Sequence, residues 1–175
     1  YNRLQTRSIN ILLATYFGPL DDNLWLATRL PVAGLHIDVT RSGDEWRRVI
    51  DNLSEYKVLS LGLIDARNIW RADLERLGAI VREAHVRLGS RLWVASSASL
   101  QHAPTDLRHE TDLPAETLSW LAFAVQKLAE VQTLRLAITD PQNPVVQASL
   151  AASAQALTSR RQAAWCRNDG VRARA

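Results

Sequence analysis

A chain of 175 residues with 47% apolar side chains has the length of one domain and enough apolar matter to pack a core, which excludes disordered and fibrous classes. The formal charge is only +3, and all of the 21 basic residues except Lys57 and Lys127 are Arg, so the high pI reflects a small excess of a permanently charged side chain. The single cysteine, Cys166, cannot close an internal disulfide, no apolar run approaches the roughly 20 residues of a bilayer span, and no signal peptide opens the chain; a cytoplasmic, non-membrane protein is expected.

In chain order, a short apolar β-rich run followed by a turn and a helical stretch occurs four times. The first run is Ser8–Tyr16, broken by Phe17, Gly18 and Pro19, with a short helix expected over Asp21–Arg29. The second is Gly34–Val39, followed by a helix over Asp44–Leu53 whose Trp46, Val49, Ile50 and Leu53 share one face. The third is Lys57–Ile64, followed by a helix over Asp73–Leu88 with Gly89 as its stop. The fourth is Arg91–Ser96, and beyond a polar loop holding Pro104 and Pro114 the pattern predicts one long helix over Ala115–Ala137. After Pro141 and Pro144, Val145–Arg161 reads as a helix leading out of the domain, and the last fifteen residues show no periodicity.

The strands are near-continuous apolar runs, the mark of parallel strands buried on both faces, and their alternation with helices means βαβ units with right-handed crossovers. The fold class is therefore α/β. Two architectures fit four units, an open doubly wound sheet or part of a closed (β/α)8 TIM barrel, and no Gly-rich phosphate loop follows any strand, which weakens the first. A whole barrel needs about 250 residues, so four βα units are half of one, with two strand edges unpaired unless more chain or a second copy closes the sheet. The opening Tyr1, rather than Met, fits a piece of a longer protein. The expected division is a half barrel over 1–140 and a helical extension with a basic, flexible tail over 141–175.

In a barrel, function sits at the C-terminal ends of the strands, which places Tyr16, His36, Asp38, Asp65, Arg67, Asn68, Ser96, Ser97 and His102 near one mouth. His36 and Asp38, two apart on a strand, point the same way; Asp38 could orient His36, and the plain reading is a buried, hydrogen-bonded structural pair. A metal needs three or four convergent ligands, and none is expected here, since Cys166 lies far away in the tail. Asp65, Arg67, Asn68, Arg71 and Asp73 crowd one loop around Trp70; an ion-pair network with Asp73 capping the next helix is the structural reading. Ser96, Ser97, Ser99 and His102 lack a Gly-x-Ser-x-Gly elbow and do not read as a hydrolase. Trp120 and Phe123, three apart on a helix and followed by Gln126 and Lys127, read as core. The five Arg between Arg160 and Arg174, opposed by Asp169 alone, carry no aromatic interleaving, and nucleic acid is not an expected partner.

Five stretches match one family as they stand: Ala14–Phe17 (ATYF), Leu30–Asp38 (LPVAGLHID), Val58–Leu74 (VLSLGLIDARNIWRADL), Leu92–His102 (LWVASSASLQH) and Ser119–Lys127 (SWLAFAVQK). Together they resemble cobalamin-independent methionine synthase from about Asn10 to Leu136, the most specific parts being Asp65–Leu74 and Trp120–Lys127. The resemblance implies the second half of the N-terminal barrel of a two-barrel methyltransferase. Such an enzyme moves a methyl group from 5-methyltetrahydropteroyl-polyglutamate to homocysteine and makes methionine. It implies zinc in the other, catalytic barrel, where the metal lowers the homocysteine thiol pKa, and no cofactor in this segment. Ala98 stands where many relatives carry Cys and cannot bind a metal. The resemblance also gives the Asp65, Arg67, Asn68 and Arg71 loop a second reading. In it the loop is a surface towards the catalytic barrel or a contact to an anionic polyglutamate tail, since the fork of Arg grips carboxylates. The segment alone is then an inactive scaffold for the non-catalytic barrel and the inter-domain cleft. The alternative is a free-standing degenerate relative that acts as an interaction module, forming a homodimer if made alone.

Overall fold

The computed structural model describes residues 1, 3, 4, 8–164 and 169–174. Four strands, β1 (Leu12–Ala14), β2 (Gly34–Asp38), β3 (Val58–Ile64) and β4 (Leu92–Ser96), form one sheet in the order β1-β2-β3-β4. All three pairings are parallel. Each crossover carries helix: α1 (Leu24–Arg29) after β1, α2 (Val39–Ser42) and α3 (Glu45–Asn52) after β2, and α4 (Leu74–Leu88) after β3. After β4 come α5 (Ala115–Trp120), α6 (Ala124–Thr139), α7 (Pro144–Gln162) and the short α8 (Asp169–Arg172).

The sequential strand order decides between the two architectures. A doubly wound sheet reverses its order at a switch point and carries helices on both faces. Here strand order follows chain order, and Leu35, Ile37, Leu59, Leu61 and Leu63 enter a single cluster with Leu24, Trp46, Val49, Leu77, Val81 and Leu134 from α1, α3, α4 and α6. The fold is α/β, part of a (β/α)8 barrel. The alternate residues of the same strands, Gly34, His36, Asp38, Ser60 and Gly62, form the face that points to the barrel interior.

Several local choices fix this layout. Trp46, Val49 and Ile50 are buried at helical spacing on α3. Asp73 caps α4 by accepting from Arg76 N, and Gly89, at φ +55°, ends it in a conformation an L side chain resists. Lys57 is fully buried, and its Nζ donates to the carbonyls of Thr28 and Leu30 at 2.6 Å each, closing the C-terminal end of α1 against the foot of β3. Gly62 admits no side chain: a Cβ there would lie 2.7 Å from Ser97 Cα and 2.9 Å from the Ile37 carbonyl oxygen. The β3–β4 register shifts beside it, between Gly62 and Ile64.

Two expectations are corrected. The long helix over Ala115–Ala137 is two helices, because Leu121–Phe123 runs extended and pairs with the β3–α4 loop: Arg71 N donates to the Trp120 carbonyl and Ala122 N to the Ile69 carbonyl, both at 2.8 Å. Trp120 and Phe123, on either side of that pairing, are 1% and 4% exposed. The helix after Pro144 does not lead out of the domain. It lies back on α4, α5 and α6 with Val146, Ser153 and Ala156 buried. Ser153 Oγ donates to the Ala72 carbonyl and accepts from Leu74 N, and Ser159 Oγ accepts from the Trp120 indole at 3.0 Å. The small residues of this helix, read as bare helix propensity, allow that close packing.

Candidate functional site

The C-terminal ends of the strands meet as expected, and most of the polar groups there bind one another. His36 and Asp38 share the interior face, yet they are not bonded to each other. His36 Nδ1 lies 2.9 Å from Ser60 Oγ, and Nε2 lies 3.4 Å from the Ser97 carbonyl oxygen, with the Tyr16 ring beside it. Burial pushes the His36 pKa down, against a smaller upward pull from the Ser97 carbonyl and the charge of Asp38, so the neutral ring is favoured. Asp38 accepts from Thr40 N (2.9 Å), Thr40 Oγ1 (2.5 Å) and Phe17 N (3.2 Å), which caps α2 and ties down the β1–α1 loop.

Arg41 spans the mouth, with Nη1 3.4 Å from Asp38 and Nη2 3.2 Å from Asp65. Asp65 also accepts from Arg67 N (2.8 Å) and Asn68 Nδ2 (2.9 Å), so it folds its own loop. The Arg67 guanidinium lies over the ring of Phe17 at 4.7 Å, and Phe17 itself sits at φ +75°. Among the described residues neither Arg67 nor Arg71 forms a salt bridge with a carboxylate.

The residues that hold this loop from behind, Lys127 and Glu130, were not read as site residues in the sequence. Lys127, 1% exposed on α6, donates from Nζ to Asn68 Oδ1 and to the Trp70 carbonyl, each at 3.2 Å. Glu130, one turn on, accepts from Ala72 N through Oε1 at 2.9 Å, while its buried Oε2 has no hydrogen-bond partner among the described residues. Burial pushes the Lys127 ammonium below and the Glu130 carboxyl above their ordinary pKa values. Gln126 serves the neighbouring loop: its Oε1 accepts from Leu107 N, and its Nε2 donates to Asp106, whose pKa the Arg108 side chain holds far below the usual carboxylate range. The sequence signal was present, since Lys127 and Glu130 are charged residues at i, i+3 on a helix that must bury one face.

The serines do not assemble a nucleophile. Ser97 Oγ accepts from Ala66 N, Ser96 Oγ donates to the Ala98 carbonyl, and Ser99 caps the turn Leu100–His102. His102 lies at the surface beside Gln101. No three His, Cys, Asp or Glu among the described residues come together as a metal group, and both ring nitrogens of His36 are engaged, so this donor set does not fit zinc. Cys166 and Arg167 lie outside the described residues. Among the described residues no helix is long and apolar enough to cross a membrane.

A one-faced parallel βα sheet, with its mouth polar and bonded to itself, is the layout of part of a (β/α)8 barrel protein. Residues 1–88 match the family described as cobalamin-independent synthase, N-terminal domain, and the chain belongs to that family. It is 49% identical over 171 residues to a 5-methyltetrahydropteroyltriglutamate–homocysteine methyltransferase of Saccharophagus degradans. That alignment covers 98% of this chain and 22% of the relative, so the chain spans about a fifth of the length of the protein it matches.

Proposed function

We propose that this chain is a segment of a methyltransferase that moves a methyl group from 5-methyltetrahydropteroyl-polyglutamate to homocysteine, and that the segment itself is a scaffold. It would supply the second half of the non-catalytic barrel, with 1–140 as the half barrel and 141–175 as an extension, and it would shape the cleft towards a cytoplasmic enzyme's catalytic barrel. The observation that carries the reading is the 49% identity along 98% of the chain to a relative with that name. The bonded mouth supports a scaffolding role, because His36, Asp38, Asp65 and Ser97 spend their hydrogen bonds on neighbouring strands and loops. In the site loop, Asp65 and Asn68 set the backbone, while Arg67 and Arg71 are the groups left to meet the opposite barrel or a glutamate carboxylate. The donor set does not fit zinc, and the metal chemistry of methyl transfer belongs to the other barrel in this reading.

The test is a replacement. This chain is exchanged for the matching segment of the Saccharophagus degradans protein, and methyl transfer to homocysteine is measured for the chimera and for the chain alone. The reading expects an active chimera and an inactive chain; turnover by the isolated chain would refute it.

A second reading, a dimerisation module without catalysis, is favoured by one observation. Leu12 on edge strand β1 and Trp93 on edge strand β4 are 41% and 52% exposed on the interior face, where a second copy could close the sheet.

A further inference from the structure

We propose that the cleft between α6 and the N-terminal half of α7 is a binding site for a small uncharged molecule with an apolar, aromatic-sized body and one hydroxyl group, the hydroxyl meeting Glu130. The cleft encloses about 570 Å3, within the usual range for small-molecule sites. Leu74, Ala122, Ala129, Val145, Ala148 and Ala152 give it mostly apolar walls. Short Ala side chains on both helices leave the space between them open.

Most polar groups of the cleft are already engaged. Thr133 Oγ1 donates to the Ala129 carbonyl, Ser149 Oγ donates to the Val145 carbonyl, and both ends of the Gln126 amide bond the neighbouring loop. Glu130 differs. It lines the cleft at 7% exposure, its Oε1 accepts from Ala72 N, and its Oε2 has no hydrogen-bond partner among the described residues. A buried oxygen without a partner is costly, so a ligand that supplies one gains affinity there. The surroundings set the charge of that ligand. Lys127 and Arg71 already act on Glu130 as positive charges, so an ammonium on the ligand would meet two like charges. Burial opposes them and favours the protonated carboxyl. A hydroxyl suits either state, since it donates to a carboxylate and accepts from a carboxylic acid. The site rests on the folding of α7 back over α4 and α6 and does not depend on the methyl-transfer reading.

The experiment is calorimetric titration of the chain, and of the chimera described above, with 2-naphthol and separately with 2-methylnaphthalene, which has nearly the same shape and no O–H. Saturable 1:1 binding of 2-naphthol is expected, with 2-methylnaphthalene weaker by about tenfold or more. Glu130→Met, which keeps the volume and removes the carboxyl, should abolish that preference. Ala152→Phe, which fills the cleft from an exposed position on α7, should abolish binding of both, while Ala154→Phe, exposed on the same helix and outside the cleft, should leave it unchanged. Absence of saturable 2-naphthol binding in both proteins would overturn the proposal. Equal affinity for the two compounds, or undiminished binding by the folded Ala152→Phe chain, would overturn it as well.

Discussion

On the helix side of the sheet Leu35, Leu59 and Leu61 are fully buried, while on the other side of the same strands Leu12 and Trp93 stand 41% and 52% exposed. The strands and the hydrogen-bond ladder are common to both sides, so the contrast lies in what covers them. On the covered side α1, α3, α4 and α6 exclude water from an apolar cluster. The open side carries His36, Asp38 and Ser60 in its middle, His36 bonded to Ser60 across the sheet and Asp38 to Thr40 and Phe17 at its mouth, and leaves its apolar groups at the two edges. The hydrophobic free energy of the domain is thus concentrated on one face, and the other face is complete only where it is polar.

That contrast can be broken most forcefully from the covered side. Trp46→Ala removes a side chain with no exposure and should cost about 3–5 kcal/mol in chemical denaturation. Gly62→Ala should cost about 1–3 kcal/mol, since the added methyl meets the backbone at Ser97 and Ile37 rather than a movable side-chain end. Lys127→Met, which keeps the volume and strands the Asn68 and Trp70 acceptors, should cost about 1–3 kcal/mol, with faster amide exchange across 65–72. On the open side Trp93→Ala should change stability by no more than about 0.5 kcal/mol in the chain alone. A loss as large as that of Trp46→Ala would mean the open face is covered in solution. The smallest effect concerns pH. The folded state lowers the His36 pKa from 6.5 and so favours the neutral ring, which makes this contribution full above that value and lost as pH falls through it towards the folded pKa. His36→Asn should flatten the stability profile on the acid side of pH 6.5, and an unchanged profile would remove His36 as its source.

Most of the fold was legible, because each strand is a continuous apolar run and each of α3 and α4 carries a clear stripe. The cap at Asp73 and the stop at Gly89 also lay where side-chain chemistry puts them. The break between α5 and α6 was hidden, since Leu121, Ala122 and Phe123 are as compatible with helix as their neighbours, and only the distant backbone of Ile69–Arg71 draws them into an extended bridge. The packing of α7 was hidden for a related reason: Ala and Ser give no apolar stripe, although Ser153 and Ser159 turn out to bond across to Ala72 and Trp120. At the mouth, spacing put His36 and Asp38 on one face and Asp65, Arg67 and Asn68 in one loop. It could not say that His36 binds Ser60 while Asp38 binds Thr40, because those partners come from the strand register and from the start of a following helix.

Hydrogen exchange on the isolated chain and on the chimera tests most directly that the chain is one segment of a larger barrel. Protected amides are expected in β2, β3 and α4 in both proteins, with β1 and β4 exchanging quickly in the isolated chain and slowly in the chimera. Equal protection of β1 and β4 in the two proteins would contradict it.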